Sequence, residues 1–168
     1  VHIHLIEHFE FADDNLIQIA SDLGLYISYQ PAFEYLWSGK DQMYDKRLGD
    51  RRFLTNRYRN ALNKQLNFAF GSDCDITPLN PLLGIHAATN REQKDQNLTL
   101  EEALNGYHLK SAEIAFLENS LGSIEEEKKA DFIVLDRDIF SIKKSEIQNI
   151  EIEKVYKNGK LVYKKEED

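Results

Sequence analysis

Three imidazoles fall within the first eight residues of the chain, at His2, His4 and His8. Neutral imidazole is a common zinc ligand, and side chains at every second position of a strand share one face. The segment Val1-His2-Ile3-His4-Leu5-Ile6-Glu7-His8 is apolar and β-branched enough for a strand, with His2, His4, Ile6 and His8 on one side. A metal site and a strand with solvent-facing or hydrogen-bonded histidines both fit that pattern. Asp73, after Gly71-Ser72, is a second candidate. A carboxylate at a strand end can ligate a metal and take a proton from the attacking water, or it can simply cap a turn. Cys74 has no His/Asn pattern around it and reads as a packing residue. His86 and His108 sit in helical stretches, where packing or solvent exposure is the expectation.

The surrounding elements place these residues. Asp13 or Asp14 can cap a helix over residues 15–23, with Leu16, Ile19, Ala20 and Leu23 as an i, i+3, i+4, i+7 core stripe and Gly24 beyond its end. Residues 25–30 read as a second strand stopped by Pro31. Residues 31–55 read as mostly irregular, a length that implies function or short helices. A helix over 56–64 then leads to a third strand at 66–70. Strand, helix, strand, loop, helix, strand argues for a parallel α/β architecture, in which ligands gather at the carboxyl ends of strands. His8, Gln30 and Asp73 all fall at such ends. Further helices are expected from about 82 to 90, with Leu83, Ala87 and Ala88 on the apolar side, then to about 109 and to about 119. The second of these opens with a capping box at Thr99 and Glu102. From Gly122 the texture changes to strands at 131–136, 150–156 and 161–163, the last two joined by an Asn158-Gly159 type I′ turn.

Composition narrows the function classes. The chain has 168 residues, 42% hydrophobic, and a formal net charge of −8. An acidic chain with no long basic run argues against nucleic acid or an anionic membrane as partner. The basic–aromatic stretch Lys46-Arg47-Leu48-Gly49-Asp50-Arg51-Arg52-Phe53 reads better as a folded loop with arginine ion pairs. Nearby Trp37 and Tyr44 could line an apolar pocket or fill a core. The single cysteine excludes an internal disulfide framework and fits a reducing, cytoplasmic setting. No apolar run approaches the roughly 20 residues of a membrane span.

Taken in order, several strings carry a resemblance: Ile6-Glu7-His8, Tyr29-Gln30-Pro31-Ala32-Phe33, Tyr44-x-x-Arg47-Leu48-Gly49, Gly71-Ser72-Asp73, Pro81-Leu82-Leu83-Gly84-Ile85, Leu98-Thr99-Leu100-Glu101-Glu102-Ala103-Leu104, Gly122-Ser123-Ile124 and Ala130-Asp131-Phe132-Ile133-Val134-Leu135-Asp136. The chain resembles the C-terminal part of a metal-dependent amidohydrolase, in the branch that includes N-substituted formamide deformylases. The resemblance implies an α/β fold: the C-terminal portion of a (β/α)₈ TIM-type barrel followed by part of a small β-sandwich domain. Residues 1–120 would be the last three barrel strands with their helices, and 121–168 the C-terminal part of the sandwich. His8 matches the metal-ligand His ending the sixth barrel strand. Asp73 matches the Asp ending the eighth, which binds metal and acts as general base and acid. The family's first-strand His-x-His, its bridging Lys or Glu and its fifth-strand His would lie upstream of Val1. The sequence also departs at Glu127-Lys128-Lys129, where the family usually carries a Gly-Lys turn.

The resemblance therefore implies a hydrolase that cleaves a non-peptide C–N bond, of amide or formamide type, with a divalent metal, zinc foremost, in the intact enzyme. A small-molecule amide is the expected substrate. Tyr44 and Arg47 are candidate substrate-binding residues, and a homo-oligomer is compatible with the sequence. Two ligands fall short of the about three that catalytic zinc takes from protein, so the chain alone is expected to be inactive. The alternatives are a non-catalytic structural or interaction segment that keeps a hydrolase scaffold, and a small metal-binding module built on His2, His4 and His8.

Overall fold

A computed structural model describes residues 4–166, so His2 lies outside the described residues. Three short parallel strands form the first sheet: β1 (Leu5–Glu7), β2 (Tyr26–Tyr29) and β3 (Asn67–Phe70), in that order. Ile6 pairs with Ile27, and Ile27 with Phe68. Parallel neighbours cannot be joined by a tight turn, and helical crossovers fill the intervals.

The first crossover is α1 (Asp14–Asp22). The Asp13 carboxylate accepts from the Leu16 amide at 2.8 Å, and Gly24 follows the helix at φ 63°. Its orientation differs from the expected stripe. Ile17 and Ala20 are buried, whereas Leu16, Ile19 and Leu23 are exposed. The helix is apolar on two faces, and periodicity cannot say which face meets a neighbour.

Residues 31–55 are more regular than expected. They form α2 (Pro31–Trp37), α3 (Met43–Leu48) and a 3₁₀ turn over Gly49–Leu54. Pro31 ends β2 and also starts α2, because the first helical position needs no amide and favours proline's fixed φ. Helix α4 (Tyr58–Asn63) then returns the chain to β3.

Helix α5 (Pro81–Thr89) is capped by the Asn80 side chain, which accepts from the Leu83 amide at 3.2 Å. It is buried nearly all round, through Leu82, Ile85, His86, Ala87 and Ala88. Helix α6 (Leu100–Tyr107) opens with the expected capping box: Glu102 N–H donates to Thr99 Oγ1 at 3.2 Å and Thr99 N–H to Glu102 Oε2 at 2.7 Å. Helix α7 (Leu109–Ile114) follows.

The second sheet is antiparallel: β4 (Phe132–Leu135), β5 (Ile152–Lys157) and β6 (Lys160–Lys164). Asn158 and Gly159 both have positive φ, 50° and 72°, as a type I′ turn requires. Glu127, in the segment where the sequence departs from the resemblance, adopts φ 70°. The connection between β4 and β5 turns back toward α5, and its Ile139, Ile147 and Ile150 join the same core as Ile85 and Ala88.

That core is centred on aromatics. Tyr29 and Tyr58 meet edge to face at 5.1 Å, and Tyr58 meets Phe70 at 5.3 Å. Helix α6 crosses this cluster at Gly106, where an added Cβ would stand 2.4 Å from the buried Phe70 ring. Gly106→Ala should therefore destabilise the chain by about 1–3 kcal/mol through overpacking. The measurement is the urea unfolding midpoint, and an unshifted midpoint would rule out so close a helix–strand approach.

Candidate active site

The carboxyl ends of β1, β2 and β3 face the same way and lead to His8, Gln30 and, two residues further on, Asp73. The chain leaves β1 sharply, with His8 at φ 71° and Phe9 at φ 55°, while the His8 amide still donates to the Ser28 carbonyl at 2.9 Å. The direction of the His8 side chain is thus set by a left-handed turn, and strand alternation stops applying before it. Asp73 also sits in the left-handed region, at φ 54°. Its carbonyl receives the Ile76 and Thr77 amides at 2.7 and 3.2 Å, while Thr77 Oγ1 donates to the Ser72 carbonyl. The turn is closed by backbone, so the exposed Asp73 carboxylate has no capping partner among the described residues. Non-glycine residues in this conformation cost of order 1–3 kcal/mol each and gather at functional sites.

Gln30 orients the imidazole. Its side chain is buried, and its Nε2 donates to Glu7 Oε2 at 3.1 Å and to the Ser28 carbonyl at 3.0 Å. With the amide nitrogen facing acceptors, Gln30 Oε1 is the acceptor for His8 Nδ1 at 2.8 Å. The proton is then on Nδ1, and a neutral ring presents Nε2 as a free lone pair. The sequence singled out Gln30 by its strand-end position and its place in the Tyr29–Phe33 string, but not for this role.

His8 and Asp73 line one cavity of about 580 Å³ together with Phe9, Glu10, Phe33 and Trp37. Phe33 stacks on the His8 ring at 5.8 Å, Trp37 lies 4.4 Å from Phe33, and Tyr44 lies 6.3 Å from Trp37. The Tyr44 hydroxyl donates to Glu10 Oε2. Burial pushes the Glu10 carboxyl above its ordinary value, opposed by the Tyr44 hydrogen bond and by His8. Burial, reinforced by Glu10, likewise holds the Tyr44 hydroxyl well above its usual value. Glu10 carried no spacing signal and was missed from sequence.

Arg47 is exposed on α3 and does not line the cavity, so the structure does not bring it to His8 and Asp73. Two other arginines hold the wall. Arg52 pairs with Glu92 at 2.7 Å and Asp45 at 3.2 Å, and donates to the Ser38 carbonyl. Arg91, with 0% of its side chain exposed, pairs with Glu34 at 3.0 Å and donates to the Thr55 and Asn56 carbonyls. Glu34 also accepts from Thr55 Oγ1 at 3.1 Å and Asn56 Nδ2 at 3.2 Å. This network fixes α2, and with it Phe33 and Trp37. Cys74 is not a packing residue as expected: it is exposed, with Sγ donating to Asp75 Oδ1 at 3.1 Å. His86 is buried against the Lys144 carbonyl at 3.3 Å, and His108 lines a separate cavity near α7.

Among the described residues, no group of three or more His, Cys, Asp or Glu is placed to hold a metal ion. An imidazole with a free Nε2 and a carboxylate on one cavity fit two positions of a zinc donor set, and the protein-derived remainder of about one ligand is not on these residues. No helix among the described residues is long and apolar enough to cross a membrane.

Parallel strands deliver an oriented imidazole and a carboxylate to one aromatic cavity, and solved metal-dependent hydrolases share this α/β arrangement. More particularly, residues 2–163 match the profile of the amidohydrolase family, and the chain belongs to that family. It is 33% identical to the putative amidohydrolase YtcJ of Bacillus subtilis (strain 168), over 94% of this chain and 31% of the relative. It is 25% identical to an N-substituted formamide deformylase of Arthrobacter pascens, over 95% of this chain and 31% of that protein. Among solved structures, an uncharacterized metal-dependent hydrolase from Pyrococcus furiosus is 31% identical with a TM-score of 0.68, covering 80% of this chain and 28% of that one. The chain thus spans about a third of the length of these relatives.

Two outcomes follow from the buried groups. Glu34→Gln leaves Arg91 an uncompensated buried charge and should cost about 3–5 kcal/mol in chemical denaturation, whereas Arg47→Ala should cost almost nothing. Burial lowers the pKa of His86, and partial desolvation lowers that of the more exposed His108. The unfolded chain then binds protons that the folded chain refuses, so their contribution is complete above about pH 6.5 and is lost as pH falls below it. Urea midpoints should drop between pH 7 and 5.5, and His86→Gln should flatten that drop; an unchanged slope would remove His86 as the cause.

Proposed function

We propose that the protein to which this chain belongs hydrolyses a non-peptide C–N bond, of amide or formamide type, in a small-molecule substrate. The observation that carries the reading is the pair His8 and Asp73, placed by parallel strands on one cavity, with the His8 ring turned by Gln30 so that Nε2 is free. The deformylase among the relatives acts on N-substituted formamides by its name, which supports that bond type. In this reading the parallel sheet is the last three strands of a (β/α)₈ barrel. Residues 1–120 then form the barrel portion, and 121–168 the C-terminal part of a β-sandwich domain.

His8 Nε2 and the Asp73 carboxylate would hold a divalent metal, zinc being the ion that this mixed nitrogen and oxygen donor set suits. When bound, the ion supplies a lowered pKa for the attacking water and polarisation of the substrate carbonyl. The Asp73 carboxylate, free of hydrogen bonds, takes the proton from the water and returns it to the leaving nitrogen. Phe33 and Trp37 shield the reacting carbonyl from bulk solvent. Tyr44 acts on the pocket through Glu10, and Arg47, exposed on α3, has no part in it. With two of about three protein ligands, this chain by itself is inactive. The shortage of ligands among the described residues also favours a second reading, a non-catalytic segment that keeps the hydrolase scaffold and works by association.

The test is hydrolysis of a panel of N-formyl and N-acyl amines by the intact protein loaded with zinc. Asp73→Asn should lower kcat at least about a hundredfold, the scale of a lost general base, and His8→Ala should release the metal. Chelation should abolish turnover. Full activity in the Asp73→Asn protein would eliminate the hydrolase assignment of this site, and absence of metal binding by the intact protein would favour the association reading.

A further inference from the structure

The cavity beside His8 holds one charged group that the proposed hydrolysis does not use. Glu10 is half-buried two residues beyond His8, and the Tyr44 hydroxyl is its side-chain hydrogen-bond partner. It forms no ion pair among the described residues, whereas four nearby arginines are engaged elsewhere: Arg52 with Asp45 and Glu92, Arg57 with Asp14, Arg59 with Glu102, Arg91 with Glu34. A carboxylate drawn partly out of water without a cation is a costly arrangement unless something enters to complete it.

The walls say what kind of group that is. The rings of His8, Phe33, Trp37 and Tyr44 run in a row, with successive centroids 5.8, 4.4 and 6.3 Å apart, and the row ends at the hydroxyl that holds Glu10. Aromatic faces attract cations, and an ammonium has three donors and no acceptor, which suits a carboxylate in a cavity that Phe33 and Trp37 also line. Tyr44 donates to one Glu10 oxygen and the Asn56 side chain also stabilises the carboxylate, which with two oxygens keeps lone pairs to accept from a ligand. Asp73 adds negative charge to the same cavity, and an anionic ligand would be repelled. A volume of about 580 Å³ accommodates a small amine with an aromatic or alkyl body.

We propose that this cavity contains an ammonium subsite, in which Glu10, held by Tyr44 beside Phe33 and Trp37, binds a primary ammonium group attached to an apolar body. Resting on the hydrolase reading, it defines the substrate class: an amide whose apolar substituent carries an amine away from the scissile bond. Glu10 is then a specificity-determining residue, distinct from the groups at the reacting carbonyl.

Trp37 is the only tryptophan in the chain and lines the cavity, so its fluorescence reports binding directly. The chain is titrated at constant ionic strength, without metal, with benzylammonium chloride and with benzyl alcohol, its uncharged counterpart. Benzylammonium should bind at least about tenfold more tightly, the scale of one charge-assisted hydrogen bond. Glu10→Gln should erase that preference while leaving benzyl alcohol binding unchanged, and Glu10→Asp, which keeps the charge but withdraws it, should reduce the preference to about threefold or less. The Asp variant decides the matter if the Gln variant fails to fold. Equal binding of the two probes, binding of neither, or parallel loss of both in the variants overturns the proposal. Because no metal or turnover enters the measurement, such a failure is separate from a failure of the hydrolase reading, which rests on Asp73.

Discussion

Parallel pairing obliges the chain to come back to the same end of the sheet after every strand, and the site depends on that constraint. Ile6, Ile27 and Phe68 lie in register, so whatever follows β1, β2 and β3 emerges on one side. Residues that are 22 and 43 apart in sequence from Gln30 are thereby gathered around it. The turns then do the fine placement. His8 and Asp73 both occupy left-handed backbone, and the hydrogen bonds of the following segment keep Asp73 there without using its carboxylate. Gln30 completes the arrangement by accepting a hydrogen bond from His8 Nδ1–H, which leaves the other ring nitrogen to the cavity.

The cavity wall is held from behind by charge. Arg91 is fully buried and binds Glu34 on α2 and the carbonyls of Thr55 and Asn56, so a single guanidinium ties three separated segments together. Arg52 does the same nearer the surface, joining the 3₁₀ turn to Ser38 and Glu92. Planar guanidinium with several fixed donors suits such a junction better than an ammonium would. The outcome is that Phe33 and Trp37, on a helix of only seven residues, are supported by tertiary contacts, since a helix this short has little stability of its own.

Much of the local grammar was legible before any coordinates. Asp13 and Thr99 announce helix starts, Asn158-Gly159 announces a hairpin, and Gly71-Ser72-Asp73 after an apolar run marks a strand end, because each is a short-range steric or hydrogen-bonding preference. The misreadings share a different origin. Of the stripe Leu16, Ile19, Ala20 and Leu23, α1 buries only Ala20, together with Ile17, since burial depends on where the partner lies. Pro31 was read as a stop when it is also a start. Cys74 was assigned to packing by residue type, but its turn carries it into solvent. Arg47 and Arg52 are alike in composition and only five residues apart, yet one is exposed and the other is locked in ion pairs.

Taken alone, the order of the motifs determined the α/β character and the family, and it singled out His8 and Asp73 as candidates, because those features are encoded in residue identity and spacing. Tertiary structure decided the rest: that Gln30 turns the imidazole, that Glu10 and Tyr44 join the aromatic wall, and that Arg91 with Glu34 supports it. These contacts link positions 22 to 57 residues apart. Only the packing of the sheet and its helices brings such distant groups within hydrogen-bond range.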